Sequence, residues 1–425
     1  MLIVYEVSLL YLKIFKLAIF TVFHGFYHKF RLFRVSIFLS MEYLEAFDSI
    51  RPYNDHEVNE AVHRLIQHPF FDQVTKRVFP EKSMDQLKEA LSEVKTVKDF
   101  QKVMMYPTAR RVLDNSSEGI SHDGFDKINV DKSYLFISNH RDIVLDSTIL
   151  NVLLFELGLD TTEVAIGNNL LVNQWVTDLA KLNKNFIVNR NIPPREMYTY
   201  SQTLSSYIRH TILERKTSIW IAQREGRTKD GDDQTQQGLL KMIGLSGGKD
   251  FYENYAPLRI APMAISYEYD PCDVLKAREV ASKMAGKPIE KTPEDDLQSM
   301  IAGITGVKGR VHISIGKIVD EKLQEIREIK NKNDQMQALA DLIDERVHKS
   351  YKLWPNNFIA YDWLYEERFK DHYTKEESEK FEAYLHKQAQ TFSADFNELK
   401  DPLLAMYANP VKNKLKIKGL AESEL

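Results

Sequence analysis

The sequence predicts an α/β fold, a mainly parallel sheet flanked by helices, with helical extensions on its N-terminal and C-terminal sides. Three observations carry this. From about residue 130 to 318, short apolar, β-branched runs alternate with stretches of helical period, the pattern of strand–helix–strand units. Residues 55–118 are polar, with one apolar stripe per helix-length segment. Residues 320–409 return to helical period and are dense in aromatic side chains.

The elements follow in order. Helices are expected near 56–67, 84–95 and 97–114, where Leu87, Leu91 and Val94, then Val97, Phe100, Val103 and Met104, each mark one buried stripe. Strands are expected at 134–138, 163–167, 185–189, 217–222, 258–266 and 309–316. Helices at 143–157, 173–183, 195–215 and 239–253 separate them. In the longest, Tyr200, Leu204, Ile208 and Ile212 recur every four residues, so one face is buried. Residues 270–308 read as a polar, lysine-containing insertion. The aromatic run Trp354, Phe358, Tyr361, Trp363, Tyr365, Phe369 and Tyr373 reads as packing. Lys412, Lys414, Lys416 and Lys418 read as a solvated tail. The chain divides into residues 1–40, a helical region 41–125, an α/β domain 126–320 and a helical region 321–425.

Composition narrows the class. A hydrophobic share of 43% and a charged share of 28% suit a globular protein. The one cysteine, Cys272, forms no internal disulfide, which favours a reducing compartment. Lys13, Lys16, Lys29, Arg31 and Arg34 stand against Glu6 alone in residues 1–40. That segment is therefore basic while the rest of the chain is acidic, which argues against a nucleic-acid partner. Its longest charge-free stretch, Leu17 to His28, is shorter than the about 20 residues a bilayer span needs. Two readings stand: a basic, aromatic segment lying in a membrane interface, or a mis-annotated start ahead of Met41.

The chemistry centres on residues 135–147, where an apolar run ends in a turn holding His140, Asp142 and Asp146. Parallel strands deliver their carboxyl ends to one crevice. A histidine there with a carboxylate in reach makes a general base, although the same pairing also occurs in helix-capping turns. Phe186–Arg190 places an arginine at a later strand end, and Glu225, Gly226, Arg227 and Lys229 occupy the turn after the next strand. Pro262 interrupts the apolar strand that follows. Cations beside a histidine base suit a phosphate-bearing substrate. Asn139 reads as a cap of the following helix and Arg141 as a solvated residue.

These four blocks, in this order, resemble the glycerol-3-phosphate and 1-acylglycerol-3-phosphate acyltransferase superfamily over about residues 130–320. Two positions depart from it. The family's aspartate stands five residues past the histidine, a place held here by Leu145, with Asp146 one later. On a continuous helix one residue is a turn of about 100°, so an extra residue in the turn is needed to keep Asp146 aligned. Asp142 stays open as the alternative. In the third block Arg227 and Thr228 are exchanged relative to the family, and Lys229 follows.

The resemblance implies transfer of a fatty acyl group from acyl-carrier protein or acyl-coenzyme A to a hydroxyl of glycerol 3-phosphate or 1-acylglycerol 3-phosphate. It implies no metal and no cofactor beyond the thioester co-substrate, and a peripheral or monotopic place on a cytoplasmic membrane surface. His140 becomes the base and Asp146 its orienting carboxylate. Arg190, Arg227 and Lys229 become phosphate ligands, Glu225 orients them, and Gly226 permits a tight turn. Two other functions remain: acyl transfer to a lyso-lipid without phosphate, and a non-catalytic membrane-surface binding protein with a displaced aspartate.

Overall fold

A computed structural model describes residues 45–417 and 419–420, so the expectations for residues 1–40 lie outside the described residues. The chain divides into two units, residues 1–51 and 52–425, and the account below concerns the second.

Seven strands make one sheet: β1 (Ile120–Asp123), β2 (Leu135–Ser138), β3 (Glu163–Gly167), β4 (Asn185–Val188), β5 (Ile219–Ala222), β6 (Ile260–Tyr267) and β7 (Val311–Ile315). Their spatial order is β1-β7-β6-β2-β5-β3-β4. From β6 to β4 all neighbours are parallel. β7 runs antiparallel to β6, and β1 pairs parallel with β7. The fold is therefore α/β with a mainly parallel sheet, and six of its strands fall where the apolar runs place them. β1 was not foreseen because Ile-Ser-His-Asp holds one apolar residue and has an exposed edge face, so no periodic pattern marks it.

The helix Leu145–Glu156 follows β2 and is apolar almost all round, with eight buried residues. It packs on Phe136, Trp220, Met263, Ile265 and Ile313, which fill one face of the sheet's centre. At about 25 cal/mol per Å² of apolar surface, this burial is the main force fixing β2 centrally. The helices Asp55–Gln67, Pro69–Val78 and Met84–Ser92 close a separate core around Val62, Phe71, Leu87, Leu91 and Phe100. The expected helix 97–114 extends to Ser116, with a π-helical turn at Gln101–Met105. Pro107 has no N–H to donate, and the ladder shifts register just ahead of it, Tyr106 N–H reaching Gln101 O.

The insertion is more ordered than its composition suggests. It forms the helices Asp273–Met284 and Pro293–Thr305, the second opened by a Thr292–Asp295 capping box. The expected helix 239–253 is two, Gln237–Gly244 and Phe251–Tyr255, parted by Gly244, Gly247 and Gly248. In the aromatic run Trp354, Phe358, Tyr361 and Phe369 are buried, while Trp363 and Tyr365 are exposed. The tail expectation is corrected at Lys414 alone: Lys412 and Lys416 are exposed, and Lys418 lies outside the described residues. Lys412 and Lys414 belong to the helix Phe396–Leu415, Lys414 is buried, and Lys412 lies 5.4 Å from the Tyr365 ring centre. No helix among the described residues is long and apolar enough to cross a membrane.

Gly124, in the turn after β1, has φ +73°, and a Cβ there would collide with the Ile315 carbonyl oxygen at the end of β7. Gly124→Ala is expected to lower stability by at least about 1–2 kcal/mol, read as a fall in the thermal midpoint. An unchanged midpoint would contradict this packing.

Candidate active site

β2 ends in the middle of the sheet, between β5 and β6, and the chain turns there through Asn139–Val144 before the next helix. His140 Nδ1 lies 2.8 Å from Asp146 Oδ2. The same oxygen accepts the backbone N–H groups of Arg141 (2.6 Å) and Asp142 (3.0 Å). Its partner Oδ1 accepts the Tyr267 hydroxyl at 3.0 Å from the end of β6. Asp146 is fully buried, and four donors replace the water it has lost. The His140 ring packs edge-on to Trp220 with 15% of its side chain exposed. With Nδ1 committed to the carboxylate, Nε2 is the nitrogen able to take a proton from a substrate.

The helix begins only at Leu145, so the additional residue is absorbed in the turn and Asp146 falls in the first helical turn facing His140. Asp142 does other work. Its Oδ1 accepts the N–H groups of Val144 and Leu145, capping the helix. Burial, then the nearby Asp146, push the Asp142 carboxyl up, while those N–H groups and Arg227 pull it down. Gly303 of the insertion presses on the Asp142 carboxylate so closely that a Cβ would collide with it.

Two minor expectations are corrected. Asn139 does not cap a helix: its amide clasps the Ile265 backbone, donating to O at 2.9 Å and accepting from N at 2.8 Å. Arg141 is buried, not solvated, because Asp233 holds its Nη2 at 2.6 Å in the interior.

The turn after β5 lies against the His140 turn, Thr228 N–H donating to His140 O at 3.0 Å. Gly226 has φ +70° as a tight turn requires, with no neighbour close enough to demand glycine for space. Thr228 is fully buried and donates to Asp233 Oδ1 at 2.6 Å. Arg227 is buried at 6% exposure, and its Nη1 has no hydrogen-bond partner among the described residues. Lys229 Nζ meets Glu279 at 3.0 Å. Arg190, past β4, reaches Glu225 at 3.9 Å. Gly167 at the end of β3 clears that path, since a Cβ there would lie 2.9 Å from Arg190 Nε.

His140, Asp146, Arg227 and Lys229 thus lie in or beside two adjoining turns, and Glu225, from the second of them, reaches across to Arg190 at the neighbouring strand end. Tyr267, Asp233 and Glu279 also belong to the surroundings and were not foreseen. For Tyr267 a signal existed, since it continues the alternation Met263, Ile265 on the buried face of β6. Glu279 joins through a contact 50 residues along the chain, and Asp233, although five residues from Thr228, is tied to Arg141 92 residues away.

Residues 119–265 match the family model described as Acyltransferase. No curated protein matches the chain. Among solved structures, the chain is similar to PlsC, the 1-acyl-sn-glycerophosphate (LPA) acyltransferase of Thermotoga maritima. That likeness has 11% identity and a TM-score of 0.36, over 67% of this chain and 91% of that one.

Burial, then the neighbouring Arg227, push the Lys229 ammonium down to about 7 against the pull of Glu279. A lowered lysine pKa means the charge is present below about 7 and lost above it. NMR titration should find the Lys229 midpoint near 7, well under the about 10.4 of an ordinary lysine; a Lys229 midpoint above about 9 would mean that the ion pair with Glu279 outweighs burial and the like charge of Arg227.

Proposed function

We propose that this chain, which carries the acyltransferase domain of its superfamily in residues 119–265, is a glycerolipid O-acyltransferase. It moves a fatty acyl group from acyl-carrier protein or acyl-coenzyme A to a hydroxyl of glycerol 3-phosphate or 1-acylglycerol 3-phosphate. The observation that carries this reading is the His140–Asp146 pair at the end of the central strand, one turn from the unpartnered donor of buried Arg227.

His140 Nε2 takes the acceptor's hydroxyl proton as the oxygen attacks the thioester carbonyl. The carbon–sulfur bond then breaks, and the departing thiolate takes that proton back from the imidazolium. Asp146 fixes the tautomer and stabilises the charged ring. Arg227 binds the acceptor phosphate with charge-assisted hydrogen bonds, joined by Lys229, while Arg190 adds positive charge at the neighbouring strand end. Glu225 orients Arg190 at 3.9 Å. No resident cofactor or metal enters this scheme. The acylated product being a lipid, the enzyme works peripherally at a cytoplasmic membrane surface.

The test is an acyl-transfer assay of the purified protein with glycerol 3-phosphate, 1-acylglycerol 3-phosphate and a neutral lyso-lipid in parallel. The two phosphorylated acceptors should be preferred, and preference for the neutral one would overturn the phosphate assignment. His140→Ala should lower kcat by about 10²- to 10⁴-fold in a folded protein. Asp146→Asn should cripple transfer while Asp142→Asn acts mainly on stability, and the reverse outcome would reassign the pair. Arg227→Ala should raise KM for the phosphorylated acceptor and leave KM for the acyl donor nearly unchanged.

A further inference from the structure

The insertion supplies a carboxylate to the cation turn. Glu279 stands on the helix Asp273–Met284, outside the region matched by the family model. Its Oε1 is 3.0 Å from Lys229 Nζ and also 3.0 Å from Lys291 Nζ, so one oxygen holds two ammonium groups. Lys229 and Glu279 are partly buried, at 23% and 24% exposure, and Lys291 is exposed at 40%. Arg227 acts on Lys229 as a like charge, and its own Nη1 is buried without a partner among the described residues. Glu279 thus holds two ammonium groups at once, while Arg227 beside Lys229 has the Asp142 carboxylate in its field. One carboxylate balances one of the two ammonium groups, and the excess, with the unpartnered Nη1 of Arg227, is what a dianion neutralises.

We propose that Glu279 is a specificity-determining residue of this pocket, an internal anion that occupies Lys229 and Lys291 until the phosphate of an acceptor displaces it. The inference rests on the phosphate role of Arg227 and Lys229. It sets how much negative charge an acceptor must bring, because a ligand has to outcompete a carboxylate already in place. In wild-type protein the competition comes from Glu279, while Arg227 and Lys291 add attraction. Removing the Glu279 carboxylate frees Lys291 and leaves Asp142 as the carboxylate near Arg227. It also takes away the group that favours the charged form of Lys229, so the gain is greatest in acid and shrinks as pH rises.

Sulfate is the probe, since its double charge is constant across neutral pH, and its affinity is measured by calorimetry at about pH 6 and about pH 8. Glu279→Gln should bind sulfate about tenfold more tightly than wild type at the lower pH, with a smaller gain at the higher one. Lys291→Met should bind it more weakly than wild type, which gives a second, opposite-signed check should Glu279→Gln fail to fold. Arg227→Ala reports on the pocket itself. If sulfate binding is lost in Arg227→Ala but is no tighter in Glu279→Gln, the role of Glu279 is overturned and the phosphate site stands. If wild type does not bind sulfate, or Arg227→Ala binds it as well as wild type does, the phosphate site falls and this inference with it.

Discussion

A fully buried carboxylate survives in a protein interior only when donors replace its water, and around Asp146 that requirement shapes everything nearby. Its donors come from His140, from two consecutive backbone N–H groups of the turn, and from Tyr267 on β6. The backbone pair closes the turn over the carboxylate, and closing the turn is what brings the His140 ring onto the same oxygen. Tyr267 ties the assembly to the adjacent strand. Burial and the adjacent Asp146 push its hydroxyl pKa well above the usual value, so it remains a donor. The histidine is thus aimed by the way a buried charge is satisfied.

A second buried carboxylate joins this turn to the cation turn. Asp233 accepts from Arg141 and Thr228 at 2.6 Å each, and from the Tyr351 hydroxyl, while its carbonyl oxygen lies 2.8 Å from His348 Nε2. Arg141 adjoins His140 and Thr228 adjoins Arg227, so one side chain fixes the spacing of the proposed base and the proposed phosphate ligand. His348 and Tyr351 bring the region after β7 into the same network. The C-terminal helices thereby support the site although no catalytic group lies on them.

Much of this was legible in the sequence, for identifiable reasons. Six strands showed because buried strands of a parallel sheet need continuous apolar runs, as in Leu135–Ile137 and Ile260–Ile265. His140 and Asp146 showed because a polar turn after such a run opens into the crevice of the sheet, and the three later blocks in order singled that turn out. Spacing alone left Asp142 open, since whether the turn or the helix holds the extra residue depends on where the first helical hydrogen bond forms. Arg141 was misread as solvated because its partner, Asp233, lies 92 residues away. Glu279 was hidden for the same reason, 50 residues from Lys229. Charged residues read as surface unless their partners are known, and here the partners come from other elements.

The account stands on Asp146 holding His140 with the proton on Nδ1 and Nε2 bare, ready to accept one. Nitrogen-resolved NMR of the His140 ring reads this directly, in wild type and in Asp146→Asn. The wild-type ring should be the Nδ1–H tautomer when neutral, and the substitution should shift it toward the Nε2–H form or a mixture of the two. A wild-type ring protonated on Nε2, or a tautomer indifferent to the loss of the carboxylate, would contradict the claim that this buried charge makes the base.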